Sequence, residues 1–325
     1  LNTGVAAAQK PCWNIGDATK RLDCYDQQDK KLRSRSASPD EIDWALTTTK
    51  SVEDQYSLLN DRWELESDLG EFIFRAYKPV YFLPVFYTSD PNYLPRTDNP
   101  LTTLNEPLDL DHTEAKFQLS FKTKLADNLI ADNGDLWLGY TQTSRWQIYN
   151  GKNSRAFRET NHEPEFMFVW RTDYSLGNYR GRLLSLSLNH QSNGQTEPES
   201  RSWNRLILTV GFDRPDWVLL LRPWYRIPEV SSDKDENPKI LDYIGRGELI
   251  IVHRRKDSHQ IAAQIRHSLK DGEDSHGSFR LNWSYPCFDR LRCHAEIFTG
   301  YGESLIDFNH RNTAVGLGVA LLEWF

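Results

Sequence analysis

From Phe72 to the end of the chain, apolar residues tend to recur at every second position. Phe117, Leu119 and Phe121 alternate with Gln118, Ser120 and Lys122. Phe279, Leu281, Trp283 and Tyr285 alternate with Ser278, Arg280, Asn282 and Ser284. Val315, Leu317, Val319 and Leu321 alternate with Gly316, Gly318 and Ala320. A period of two is that of a β-strand with one apolar face. About twelve such segments are predicted, near 72–88, 116–126, 134–150, 163–176, 181–193, 201–213, 217–226, 243–255, 259–269, 278–287, 293–302 and 313–325. The connections alternate. Long or polar ones fall at 89–115, 151–162, 194–200, 227–242, 270–277 and 303–312, and shorter ones at 127–133, 177–178, 213–216, 256–258 and 288–290. An even strand number with alternating long and short connections is the pattern of bacterial outer-membrane barrels, long loops outside and short turns in the periplasm. The expected fold class is all-β, a roughly twelve-stranded antiparallel transmembrane β-barrel over 69–325.

Residues 1–68 do not share this period. Around Cys12 and Cys24, Trp13, Ile15, Leu22 and Tyr25 lie near helical spacing. They predict a short helical hairpin clipped by a Cys12–Cys24 disulfide, since a unit below about 40 residues usually needs a staple. Lys30 to Pro39 is charged and serine-rich and reads as a linker. The segment is expected to form a small, largely helical N-terminal periplasmic extension. No charged leader with an apolar core follows Leu1, so the chain reads as processed or truncated, with any export signal already absent. Cys287 and Cys293 are equidistant from Arg290, which suits a disulfide across a periplasmic turn. Local cysteine pairs fit an oxidising compartment. A terminal aromatic, Phe325, on the parity of Leu317, Val319 and Leu321 is expected to face lipid on the last strand.

Composition alone could mislead. Hydrophobic content is 38% and mean hydropathy −0.66, and no run approaches the ~18 apolar residues of a membrane helix. Those values would suit a soluble β-sandwich. A barrel fits equally, because polar lumen residues dilute its hydropathy. The 11 Trp and 14 Tyr suit the aromatic belts of two membrane interfaces. A net charge of −7 argues against nucleic acid as a partner.

One hairpin carries candidate chemistry. Leu184, Leu186 and Leu188 share a strand face that continues into His190 and Ser192, while Leu206, Leu208 and Val210 share one with Asn204. A turn near Glu197 sets His190 opposite Asn204, and directly opposed side chains lie close. Hydroxyl, imidazole and amide would then meet on an apolar wall, in the roles of nucleophile, base and orienting group. Gly194, two residues beyond Ser192, can offer its amide to an oxyanion without a side chain in the way. On the third strand Leu136, Leu138, Tyr140 and Gln142 share one parity, which places an amide on a lipid-facing stripe, unfavourable unless paired.

His190 to Arg205, Phe157 to Asn161 and Gly300 to Asp307 make the chain, from about Phe72 to Phe325, resemble the outer membrane phospholipase A family. The resemblance implies a calcium-dependent phospholipase of the Gram-negative outer membrane, active as a homodimer, that cleaves acyl esters of glycerophospholipids and lysophospholipids at the extracellular side. It implies a Ca2+ site formed by the Ser200 hydroxyl, the Gln195 carbonyl and Ser154 of the partner subunit. Gln195 stands where arginine is usual. A second calcium site would involve Glu197 and Glu236, where the family can carry aspartates. Tyr140 and Gln142 would lie at the dimer interface. Two other readings compete: a catalytically inactive pore or structural barrel whose charged lumen residues, such as Lys122, Arg280 and Glu296, plug it, and a protein acting mainly through its N-terminal module.

Overall fold

The computed structural model describes residues 17, 19–20, 24, 57–66, 69–231 and 235–325. The chain divides into two compact units, 1–49 and 50–325. In the first, Thr19 and Lys20 are helical, and both donate their backbone N–H to Asp17 Oδ1 at 3.0 and 3.1 Å. Cys24 is disulfide-bonded. Cys12, the rest of the expected hairpin and the linker lie outside the described residues.

The second unit is a closed barrel. Its strands are β1 (Val80–Thr88), β2 (Thr113–Ala126), β3 (Asp135–Trp146), β4 (Phe157–Leu176), β5 (Tyr179–Ser192), β6 (Ser202–Arg214), β7 (Trp217–Ile227), β8 (Gly247–Arg254), β9 (Gln260–His267), β10 (Gly277–Pro286), β11 (Arg292–Tyr301) and β12 (Arg311–Leu322). Each pairs antiparallel with its neighbours in sequence, and β1 also pairs with β12, which closes the ring. Closure leaves no barrel strand with an open edge, which is what a β-protein needs in lipid. The predicted segment 72–88 divides: a two-residue strand, Arg75–Ala76, bridges to β2, and β1 begins only at Val80. Near the middle of the β1–β12 seam the ladder slips, and Gly318 sits there with no room for a side chain, since an added Cβ would lie 2.1 Å from the Phe82 carbonyl oxygen. The Cys287–Cys293 disulfide bridges the β10–β11 turn, with Cα atoms 5.6 Å apart.

Polarity is inverted relative to a water-soluble fold. On β5, Leu184, Leu186 and Leu188 are exposed, while Ser185, Ser187 and Asn189 are buried. Phe82, Leu119, Phe166, Leu208, Ile297 and Leu317 also face outward. The lumen holds charge. Lys116 Nζ lies 2.6 Å from Glu296 and 2.8 Å from Glu303, Arg145 lies 2.6 Å from Glu303, and Arg222 pairs with Glu165 and Glu248 at 3.1 and 2.7 Å. Lys122 Nζ sits 3.2 Å from the Trp63 ring centroid and 4.6 Å from that of Trp137, a buried cation over aromatic faces. An apolar outer wall around a paired, charged interior is the arrangement a hydrocarbon solvent selects. Paired side chains cross the lumen around a cavity of about 100 Å³ lined by Lys78, Arg145, Arg222, Glu248 and Arg280.

The short-turn end is plugged by α1 (Leu58–Trp63), capped by Ser57, whose hydroxyl accepts the Asn60 N–H at 2.9 Å. Leu58, Leu59 and Trp63 join Tyr77, Trp137, Met167, Val218 and Ile250 in one core cluster. The helix thus packs with the barrel core. Phe325 also departs from expectation. β12 stops at Leu322, and Trp324 and Phe325 turn inward against that core, Phe325 beneath the Arg62 guanidinium. The parity of Leu317 and Leu321 does not extend past the end of the strand.

Candidate active site

The site stands on the outer wall at the long-loop end. β5 and β6 pair so that His190 faces Asn204 and Ser192 faces Ser202. His190 Nδ1 lies 2.8 Å from Asn204 Oδ1. An amide oxygen can only accept, so Nδ1 carries the proton and Nε2 keeps a lone pair. His190 is exposed on the face that carries Leu184, Leu186 and Leu188. Ser192 follows on the same parity, two residues along the strand. Among the described residues its hydroxyl has no hydrogen-bond partner. The His–Asn half of the arrangement is formed, and the Ser–His half is not closed; such contacts often tighten only when substrate is bound.

The turn beyond Ser192 is built around Asn193. Its Oδ1 accepts from Gln195 N at 3.3 Å and Arg201 N at 2.9 Å, and its Nδ2 donates to the Glu199 carbonyl at 2.8 Å. Gly194, at φ +64°, is exposed between these braces. Its N–H has no acceptor among the described residues. Arg201 ties the turn down, donating to the carbonyls of Pro198, Ser200 and Thr102 at 3.0, 2.7 and 2.8 Å.

Of the expected calcium residues, two converge. The Ser200 hydroxyl donates to Glu236 Oε1 at 2.6 Å, and Glu236 Oε2 is buried with no hydrogen-bond partner. Loop bonds hold Glu236 there: Thr102 Oγ1 donates to its carbonyl at 3.1 Å, and Asn99 Nδ2 donates to the Asp235 carbonyl at 2.9 Å. A hydroxyl and a half-satisfied carboxylate are hard oxygen donors suited to calcium. Glu197 and Gln195 lie exposed in the same turn. Ser154 is exposed on the β3–β4 loop.

Tyr140 and Gln142 face outward as expected, yet the amide is not orphaned. Gln142 Oε1 accepts from the Tyr140 hydroxyl at 3.3 Å, and Gln142 Nε2 donates to Ser144 Oγ at 3.1 Å. Sequence reasoning missed His162. It is the register partner of Ser192 across β4–β5, and its Nδ1 lies 2.7 Å from the Tyr140 hydroxyl. Its outward parity with Phe166 and Phe168 was the available signal.

The two other matched stretches prove to support each other. Glu159 Oε1 accepts the Ile306 N–H at 2.8 Å, and Asn161 Oδ1 accepts that of Leu305 at 3.3 Å. Arg158 spans Glu114 and Asp307 at 2.9 and 2.7 Å, and Ser304 donates to Asp307 at 2.8 Å. Burial alone would raise the Asp307 carboxyl; the Arg158 guanidinium and the Ser304 hydroxyl outweigh it and hold the group below its ordinary range. The β11–β12 loop is thereby locked into the barrel behind β4.

The family model for phospholipase A1 matches residues 59–321. The chain belongs to the phospholipase A1 family. A phospholipase A1-like protein of Neisseria meningitidis serogroup B is 38% identical over 272 residues, covering 82% of this chain and 70% of that protein. A structure of Escherichia coli outer membrane phospholipase A with an active-site asparagine changed to alanine superposes with a TM-score of 0.70 at 32% identity, over 80% of this chain and 96% of that one. A calcium-bound dimer of Salmonella typhi outer membrane phospholipase does so with the same TM-score and coverage, at 33% identity. As a member of the phospholipase A1 family, the protein is an ester hydrolase carried on an outer-membrane β-barrel.

Proposed function

We propose that this phospholipase cleaves acyl esters of glycerophospholipids, and of the lysophospholipids left behind, with Ser192, His190 and Asn204 on the lipid-facing wall. The observation that carries the reading is the 2.8 Å contact between His190 Nδ1 and Asn204 Oδ1 on the leucine face of β5. A phospholipid ester lies where headgroups meet acyl chains, so a nucleophile at the rim of the outer wall reaches it without extracting the lipid. Ser192 Oγ attacks the carbonyl carbon, and its proton passes to His190 Nε2. Asn204 holds the ring in the tautomer that leaves Nε2 free; as a neutral amide it stabilises imidazolium less than a carboxylate would. Gly194 N–H donates to the carbonyl oxygen as it becomes anionic. The intermediate collapses to an acyl-Ser192 ester, and the leaving alkoxide takes the proton from His190. Water, deprotonated by the same imidazole, then releases the fatty acid.

Gly194 alone is a thin oxyanion hole, and the dimeric Salmonella relative holds calcium. Here Ser200, the Gln195 carbonyl and the unpartnered oxygen of Glu236 suit the ion, with Ser154 of the partner subunit completing the set in a homodimer. Bound calcium would supply positive charge to the developing oxyanion. Glu236 reaches Ser200 directly, so a separate second site shared with Glu197 has less support than one cluster centred on Ser200. The dimer contact would cover the Tyr140–Gln142 stripe. Because Gln142 is already hydrogen-bonded within its own chain, apolar surface and not an orphaned amide would favour association.

The test is fatty-acid release from phospholipid in detergent micelles, with calcium and with a chelator. Activity should need calcium and fall by roughly 10⁴-fold or more in Ser192→Ala, as when a nucleophile acting as part of a unit is removed. Unchanged activity in Ser192→Ala would remove the mechanism.

A further inference from the structure

Resting on that reading of Ser192 and Gly194, we propose that Asn193 is a positioning residue for the reaction: its side-chain amide aims the peptide N–H that meets the developing oxyanion. Asn193 follows the nucleophile directly, and its side chain is turned into the hairpin tip, where the residue is 3% exposed. Four hydrogen bonds hold it there. Asn193 N donates to the Arg201 carbonyl at 2.9 Å, and Asn193 Oδ1 accepts the Arg201 N–H at 2.9 Å. Asn193 Nδ2 donates to the Glu199 carbonyl at 2.8 Å, and Oδ1 also accepts the Gln195 N–H at 3.3 Å. Two N–H groups at the oxygen and a carbonyl at the nitrogen fix which way round the amide lies.

The bond from Gln195 bears on the chemistry. It closes a ring that runs from the Asn193 side chain through the Asn193–Gly194 peptide to the Gln195 N–H, an Asx turn. That peptide carries the Gly194 N–H. Its plane is set by ψ of Asn193 and φ of Gly194, and both torsions lie inside the ring. Gly194 sits at φ +64°, and a glycine left to itself visits either sign of φ about equally. The residue that leaves its amide open to a ligand is therefore also the least able to hold that amide still. The Asx ring supplies the hold. Its far side is anchored in turn, because the buried Arg201, whose backbone meets Asn193 twice, donates from its guanidinium to the carbonyls of Pro198, Ser200 and Thr102. The oxyanion donor is thus aimed before substrate arrives, the condition under which such groups are most effective. Asn193 exchanges no proton with the substrate; it acts through the peptide it braces.

The experiment compares parent, Asn193→Ala, Asn193→Ser and Ser192→Ala, as purified full-length chain in micelles at saturating calcium. Asn193→Ala should lower kcat by roughly 10²-fold with little change in KM, the size of effect when an oxyanion donor is lost or misplaced. Serine is neutral and can close the same turn through its hydroxyl, more weakly, so Asn193→Ser should stand on the order of tenfold below the parent. Both variants lose the bond to the Glu199 carbonyl, so their urea midpoints should fall together while their kcat values part. Near-parent kcat in Asn193→Ala beside an inactive Ser192→Ala would overturn this role and leave the nucleophile in place. Equal kcat in the alanine and serine variants, or a loss confined to KM, would also overturn it. A serine variant equal to the parent in kcat would do so even if the alanine variant did not fold. Activity persisting in Ser192→Ala would instead strike the reading beneath.

Discussion

On the lumen side of β4 and β5, Glu163 accepts from Lys78, Asn189 and Arg205, and Glu165 accepts from Tyr77, Asn189 and Arg222. One residue away on the same strands, facing lipid, His190 and His162 each have a single side-chain partner, and Ser192 has none among the described residues. The same backbone thus carries two kinds of polar surface. Inside, these carboxylates are met by cations, a phenol and an amide, which makes a stiff wall. Outside, donors and lone pairs are left open a few ångströms from apolar solvent, where an ester is the group available to meet them. Buried pairing holds the strands in register, and incomplete pairing on the other face leaves groups free to react.

That contrast can be tested from both sides. The inner wall should respond in stability. Glu165→Ala leaves Tyr77 and part of Arg222 buried without an acceptor, and breaking one side of a buried pair typically costs ~3–5 kcal/mol. The expected readout is a lower urea midpoint for the micelle-folded barrel, with activity per folded molecule near that of the parent. The outer wall should respond in activity. Asn204→Ala frees the His190 ring and should lower kcat by roughly 10–10²-fold, a loss of positioning. Its urea midpoint should shift by less than about 1 kcal/mol, since an exposed hydrogen bond is replaced by water. If the two variants exchanged these signatures, the division between scaffold wall and reactive wall would be wrong.

Much of this division can be read from alternation alone. Strand positions follow from apolar parity, and the His190–Asn204 pairing follows from a hairpin whose tip at Glu197 lies midway between them. His162 is harder to reach. Counting back from the Leu176–Tyr179 pair at the β4–β5 turn sets Glu163 opposite Ser192. An irregularity between Arg171 and Tyr174 slips the ladder by one and substitutes His162. A bulge leaves little trace in a binary pattern, and it changes which residue faces the nucleophile. The plug helix was hidden for another reason. Six residues, Leu58–Trp63, are too few for helical periodicity to stand out, and its apolar face is defined by the barrel mouth that receives it. Strand parity says nothing of Phe325, because the strand ends at Leu322.

The most direct test of the account is to treat the calcium-loaded protein with a long-chain sulfonyl fluoride and locate the adduct by mass spectrometry. The account predicts one modified serine, Ser192, with labelling abolished in His190→Ala and slowed in Asn204→Ala. A labelled serine elsewhere, or labelling of Ser192 at the parent rate without His190, would contradict it.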